Sequence, residues 1–353
     1  MEINFDFLLS GCNTRCKHCY VNGGPGPMMP FADALLCIEK LEAMGKYLPE
    51  GTTFTLDHEP MNHPDLDKIL GAAARNQYCK NYHHGMTSGI GLMHRADKEA
   101  VVKAYFHCGY RNFGITIHGA AEHHDEIVRR PGAYEKSIAA AEFLRDMGAE
   151  VEVSLMLNRF FAEDAEEITK MLQRLHPQKI YLAIPIFTPH ANMMDFEPYR
   201  ATLDTWEKLQ DVLPQWGCDA QAVQNAGNIQ TTRTAIARLK TVGSLESLFS
   251  QEQRELYLTI HPDCKLYVGN SGGETQCLGD LRTLSPESAA EKINALPGNR
   301  DYTAYYDLAA LPSKEELLCT LEKLPGQLIY GDFESVLYRG LVEMGIPTKR
   351  ISC

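Results

Sequence analysis

Apolar positions along the first 200 residues alternate between two periods. Short apolar runs at residues 3–9, 52–56, 113–117, 151–157 and 180–186 have the length and β-branched content of buried strands. Between them lie stretches with apolar residues every third or fourth position, the signature of an amphipathic helix. One is 31–44, where Leu35, Ile38, Leu41 and Met44 recur; the others are 64–75, 97–108, 134–147 and 162–175. A weaker segment, 80–86, stands where a third strand is due. The pattern predicts six βα units and a parallel sheet, fewer than the eight of a complete (β/α)8 barrel.

Beyond about residue 200 the alternation stops. Residues 203–213 read as a helix, 224–232 as a polar loop, 255–261 as a strand with 264–268 as its hairpin partner, and 271–274 as a glycine-rich turn. The tail, 314–353, is helical in parts. The expected architecture is α/β: a partial (β/α)6 TIM-like barrel over 1–200, and an α+β extension over 201–353.

The 353 residues include 34 Lys+Arg against 46 Asp+Glu, a formal net charge of −12. A field of that sign repels polyanions and argues against a nucleic-acid partner. No apolar run is long enough to span a bilayer, and the N-terminus lacks the basic start of a secretory signal, so neither a membrane nor export is expected. Eleven cysteines in such a chain point to reduced thiols and a cytoplasmic setting.

Three of these cysteines crowd together. Cys12, Cys16 and Cys19 form C-x3-C-x2-C directly after the first strand, at the barrel end where active sites form. Three thiolates this close can face one soft metal centre. A zinc knuckle or an electron-transfer cluster would want a fourth ligand, whereas a cubane with three ligands keeps one iron open.

The loop resembles that of the radical S-adenosylmethionine (radical SAM) enzymes, which carry C-x3-C-x-aromatic-C here; His18 holds the aromatic place. The likeness continues in order. Asp57-His58-Glu59-Pro60 stands where the family has Gly-Gly-Glu-Pro, with both glycines replaced. His63-Pro64-Asp65 follows, as in many members. Thr87-Ser88-Gly89 resembles Thr-Asn-Gly, the segment 115–119 with His124-Asp125 resembles strand four, and 151–154 strand five. Residues 261–268 and 278–282 resemble the SPASM extension of the superfamily, without its paired cysteines; Cys264, Cys277, Cys319 and Cys353 are the scattered candidates for an auxiliary cluster.

The resemblance implies a [4Fe–4S] cluster on Cys12, Cys16 and Cys19, with S-adenosylmethionine on its open iron. It implies reductive cleavage to a 5′-deoxyadenosyl radical that takes hydrogen from the substrate. His18, Tyr20, Asp57, His58, Glu59, Ser154 and Arg129 are then the expected cofactor contacts, with Glu59 toward the methionyl ammonium and Arg129 toward the carboxylate. The histidines at the strand ends, His118 among them, are candidates to bind substrate or move protons. Cys264 is the candidate thiol for returning a hydrogen atom. A flavodoxin or ferredoxin would supply electrons. The substrate is expected to be a small polar metabolite; the alternatives are a ribosomally made peptide, or a non-enzymatic iron–sulfur or zinc protein. His123-His124-Asp125 reads as a helix start with Asp125 near its cap.

Overall fold

A computed structural model describes residues 2–75, 82–84, 87–189, 191–218, 223, 229–249, 255–298 and 305–349. Its first half follows the expected alternation: β1 (Glu2–Phe7), α1 (Phe31–Met44), β2 (Thr53–Leu56), α2 (Leu66–Ala73), β3 (Tyr82–His84), α3 (Ile90–Met93), α4 (Lys98–His107) and β4 (Asn112–Ile117). Then come α5 (Ala121–Val128), α6 (Ala133–Asp146), β5 (Glu150–Met156), α7 (Ala165–Leu175) and β6 (Lys179–Ala183). All six predicted strands are present, and each pairs in parallel with its neighbours. They form two arcs, β3-β2-β1 and β4-β5-β6, linked by a parallel bridge between Thr87 and Ile115. The result is a partial barrel of two parallel arcs.

The second half continues with α8 (Leu203–Leu209), α9 (Thr232–Thr241), α10 (Leu245–Phe249), β7 (Glu255–Ile260), β8 (Lys265–Val268), β9 (Gln276–Asp280), α11 (Pro286–Asn294), α12 (Lys314–Leu321) and α13 (Phe333–Glu343). Residues 224–228, read as a loop, and Cys353 lie outside the described residues. The helix expected over 203–213 stops at Leu209, because Pro214 cannot donate and restricts the residue before it; a 3₁₀ turn, Leu213–Trp216, takes over.

The hairpin of β7 and β8 forms as expected, with Ile260 opposite Leu266. It is also part of the barrel sheet. β7 pairs in parallel with β1 along its whole length, from Glu2–Glu255 to Phe7–Ile260. Leu256, Leu258 and Ile260 are thereby buried beside Ile3, Phe5 and Phe7 in one core. Two segments 250 residues apart in sequence thus share one sheet, and the six-stranded sheet draws strands from both sides of residue 200.

Asp125 caps a different helix from the one expected. It lies inside α5, and its carboxylate accepts the backbone N–H groups of Gly132 and Tyr134 (2.8 Å for Tyr134) at the start of α6. That satisfies donors the first turn of α6 would otherwise leave open.

Arg200 ties the end of the barrel to the tail. It is 2 % exposed, pairs with Glu197 at 2.5 Å, and donates to the carbonyls of Pro185 (2.7 Å), Ile186 (3.1 Å) and Ile329 (3.3 Å). The ring of Tyr330 lies 4.2 Å from the guanidinium. Glu197 also takes a hydrogen bond from Tyr330 (2.8 Å) and pairs with Arg339 (3.2 Å). Removing one partner of a buried ion pair strands the other. Arg200→Ala is therefore expected to cost about 3–5 kcal/mol, read from the urea unfolding midpoint. A loss under about 1 kcal/mol would show that the cage adds little.

Candidate functional site

The loop after β1 is shaped by backbone contacts before any side chain acts. Cys12 N–H donates to Gly24 O (2.8 Å), Cys19 N–H to Cys16 O (3.2 Å) and Asn22 N–H to Cys19 O (3.1 Å). Neighbouring elements pin it from outside: Arg15 and Lys17 donate their N–H groups to Val128 and Ile127 of α5. Arg130 donates to Asn13 O (2.6 Å) and Asn62 to Gly11 O (2.8 Å). Gly11 must be a glycine, since a β-carbon there would stand 2.3 Å from Gly24 O.

The loop turns its three thiols onto a cavity of about 220 Å³ at the C-terminal ends of the strands. Gly23 N–H donates to Cys19 Sγ (3.0 Å), and a β-carbon on Gly23 would lie 3.1 Å from Cys12 Sγ and 3.3 Å from Cys19 Sγ. The bare glycine lets the backbone close on two sulfurs at once. Burial pushes all three thiols up, Cys19 to about 12. Protons leave such thiols only when a metal's positive charge replaces them. Among the described residues no three His, Cys, Asp or Glu side chains are grouped around a single ion position. The three thiols line one cavity.

At the same cavity, β2 ends in Asp57-His58-Glu59. His58 takes φ +61°, a left-handed conformation that favours glycine. The backbone course of the family's glycine is thus kept at this position, with an imidazole added. His58 Nε2 shares a 2.7 Å hydrogen bond with Ser271 Oγ of the β8–β9 loop.

Glu59 has partners the sequence did not announce. Its carboxylate, 2 % exposed with its residue, accepts Thr87 Oγ1 (2.6 Å), Ser88 Oγ (2.6 Å) and Ser88 N–H (3.0 Å). Its carbonyl accepts Ser10 Oγ (2.8 Å). Three of about four lone-pair sites are taken, so the carboxylate also clamps the strand-three motif.

A second polar group is made of histidines. His18 and His118 share a hydrogen bond between their Nε2 atoms at 2.5 Å, and the backbone N–H of His118 donates to His124 Nδ1 (3.3 Å). Burial lowers His18 and His124 to about 4 and His118 well below its usual range, so all three are neutral at pH 7. Asn158 fixes the His118 carbonyl (2.7 Å). His118 Nδ1 is buried with no protein partner among the described residues.

The other expected residues divide. Tyr20, Asp57 and Ser154 line the same cavity, Ser154 buried on β5 and Tyr20 43 % exposed. Arg129 does not line it. It ends α5 with φ +57°, pairs with Asp195 and borders a neighbouring cavity, though its charge still reaches Cys16. Cys264 is not at the mouth. It is fully buried at φ +65° in the β7–β8 turn, its N–H on His261 O (2.9 Å), its thiol beside Cys37 of α1. The place where the family has glycine is a left-handed turn, and the side chain there points into the core. Cys277 and Cys319 face solvent, and Cys353 lies outside the described residues.

The Radical SAM superfamily profile matches residues 8–175, which span the thiol loop, the Glu59 clamp and the histidine group. This part of the chain belongs to the radical SAM superfamily. Members are enzymes that use a [4Fe–4S] cluster and S-adenosylmethionine. The chain is 24 % identical over 174 residues to an AdoMet-dependent heme synthase of Methanosarcina barkeri, covering 47 % of this chain. It is 24 % identical over 186 residues to a pre-heme d1 synthase of Dinoroseobacter shibae, covering 52 % of this chain. It spans 44 % of the length of each. The likeness of fold extends across the chain: a structure of anSMEcpe with bound AdoMet and Cp18Cys peptide aligns with 97 % of this chain and 96 % of that one, at TM-score 0.53 and 12 % identity. Among the described residues, no helix is long and apolar enough to cross a membrane.

Two outcomes follow from this geometry. Glu59→Gln turns one acceptor oxygen into a donor against hydroxyls that need acceptors. It should lower stability by about 1–3 kcal/mol in urea unfolding, and an unchanged midpoint would remove the clamp. The second concerns pH. The folded value of His124, about 4, lies below its unfolded 6.5, so the unfolded chain binds more protons between them. Stability is full above pH 6.5 and is lost as pH falls toward 4. His124→Asn should flatten the loss between pH 7 and pH 5 by about 2 kcal/mol; equal slopes would show that His124 does not contribute.

Proposed function

We propose that Cys12, Cys16 and Cys19 hold a [4Fe–4S] cluster in the thiol-lined cavity, and that the chain is a radical SAM enzyme acting on a small polar molecule. The observation that carries the first part is the cradle at Gly23, where a bare α-carbon faces two of the three sulfurs. When bound, the cluster and S-adenosylmethionine supply one-electron cleavage to a 5′-deoxyadenosyl radical, with electrons from a donor such as flavodoxin or ferredoxin.

The chain's own residues position and enclose. The backbone at Asp57 and the imidazole of His58 line the same cavity as the thiols and would contact S-adenosylmethionine there. Glu59 acts through Thr87 and Ser88, holding the strand-three motif against that wall. Ser154 and His118 offer polar atoms to the remaining hydroxyl and amino groups, and the unpartnered Nδ1 of His118 donates or accepts according to which ring nitrogen carries the proton. Neutral His18 shields the cluster loop from water, packed against Phe196 at 5.7 Å.

The small-substrate reading rests on the cavity that adjoins the thiol-lined one at Val21 and His58, which measures about 330 Å³ and is walled by the β8–β9 loop; a second cavity, of about 680 Å³, adjoins the thiol-lined one at Cys12. Two relatives are named for heme synthesis and one solved neighbour carries a bound peptide. Reconstituted protein should contain about four irons per chain and release 5′-deoxyadenosine on reduction. Cys12→Ala, Cys16→Ala and Cys19→Ala should each lose both while remaining folded by circular dichroism. Full iron and turnover in Cys16→Ala would overturn the assignment. Stimulation of cleavage by peptides and not by small metabolites would replace the substrate class.

A further inference from the structure

The neighbouring cavity lies between the cysteine loop and the C-terminal hairpin, and shares Val21 and His58 with the thiol-lined one. The hairpin tip is pressed onto the cysteine loop. Gly272, at φ +80°, comes so close that a β-carbon would stand 2.6 Å from Val21 O. Ser271 of the same tip reaches His58 across 213 residues of sequence. Closure of this cavity therefore depends on tertiary contact between the two halves of the chain.

Its charge is unusual for a chain of net −12. Among the described residues the only acid in its wall is Glu274, 3 % exposed and already committed: it pairs with His261 Nε2 at 2.7 Å and accepts Gly272 N–H at 3.0 Å. Arg129 spends its charge on Asp195, outside the wall. Arg15 lies along the bare backbone of Gly24, 3.4 Å from where a β-carbon would be, and has no carboxylate partner among the described residues. The cavity is thus bordered by the guanidinium of the exposed Arg15, beside a glycine-rich loop, 22–27, whose few side chains leave room for a ligand. His58 keeps its imidazole here although φ +61° disfavours any side chain, a local strain of the kind found where a side chain is needed.

We propose that this cavity seats the anionic end of the substrate. A carboxylate or a phosphate there is held by the Arg15 guanidinium and takes a hydrogen bond from the Ser271 hydroxyl, whose oxygen accepts His58 Nε2–H. The reacting end then points through the shared wall toward the thiols. The proposal rests on the reading of the chain as a radical SAM enzyme and narrows its substrate to a small molecule bearing an oxyanion. Planar donors on a guanidinium match either anion.

The test is thermal unfolding of the reconstituted holoprotein with sodium phosphate, sodium acetate or sodium chloride at equal ionic strength. Iron is assayed separately, so that failure to bind the cluster is distinguished from failure to bind an anion. The expected result is a saturable rise in midpoint of about 3 °C over chloride with phosphate or acetate. It should vanish in Arg15→Gln and shrink in His58→Gly, a variant whose backbone takes the observed conformation without strain. A response to phosphate alone assigns a phosphate ester, and one to acetate alone a carboxylic acid. No rise over chloride in the wild type, or an equal rise in Arg15→Gln, overturns the proposal. The second control also removes the general stabilisation that phosphate gives by exclusion from protein surfaces.

Discussion

The hydrogen bonds from Thr87 and Ser88 to the Glu59 carboxylate are the constraint on which the rest of this site depends. A partial barrel has no closing strand to hold its strand ends in place. Here β2 ends at Leu56, the strand-three motif passes at Thr87, and that residue bridges to Ile115 of β4. The carboxylate joins the first two, and the Thr87–Ile115 bridge joins the second to the other arc. A charged acceptor in a buried setting, with three donors aimed at it, is worth more than the same contacts in water. The wall of the thiol-lined cavity is built on that joint.

The second constraint is electrostatic. Three thiols, neutral histidines and a clamped carboxylate crowd one cavity, and burial drives thiols and imidazoles alike toward their uncharged forms. Such an interior favours a ligand that brings its own positive charge to the sulfurs, as an iron–sulfur cluster does. It also keeps water out of a space where reactive species would be lost. The adjoining cavity is of opposite character, polar and cationic, and the two meet at His58.

The strained positions carry a consistent message. His58 and Cys264 both adopt left-handed backbone where the resembling family has glycine. At one, the side chain is turned to use, reaching Ser271; at the other, it is folded away into the core beside Cys37. Backbone conformation at a glycine-like position is therefore set by the turn. What the side chain then does depends on which side of the sheet it faces.

The six parallel strands, the order of the helices between them and the three-thiol loop were legible along the chain, because each depends on local periodicity or short spacing. The helix over 203–213 was drawn too long because Pro214 acts on residues before it. The long-range assignments needed tertiary structure. Nothing within residues 255–260 says that they pair in parallel with residues 2–7, since a buried strand carries the same apolar run whichever edge it joins. Glu59 read as a contact for the methionyl ammonium, with no sign along the chain of the donors that reach it from Thr87 and Ser88, 28 and 29 residues on. Ser271 and Glu274 looked like an ordinary turn until the hairpin folded over the cysteine loop. The sequence by itself determined which side chains could do chemistry; only the fold decided which of them meet, because hydrogen bonds and burial act through space, and the chain brings distant segments together without marking them.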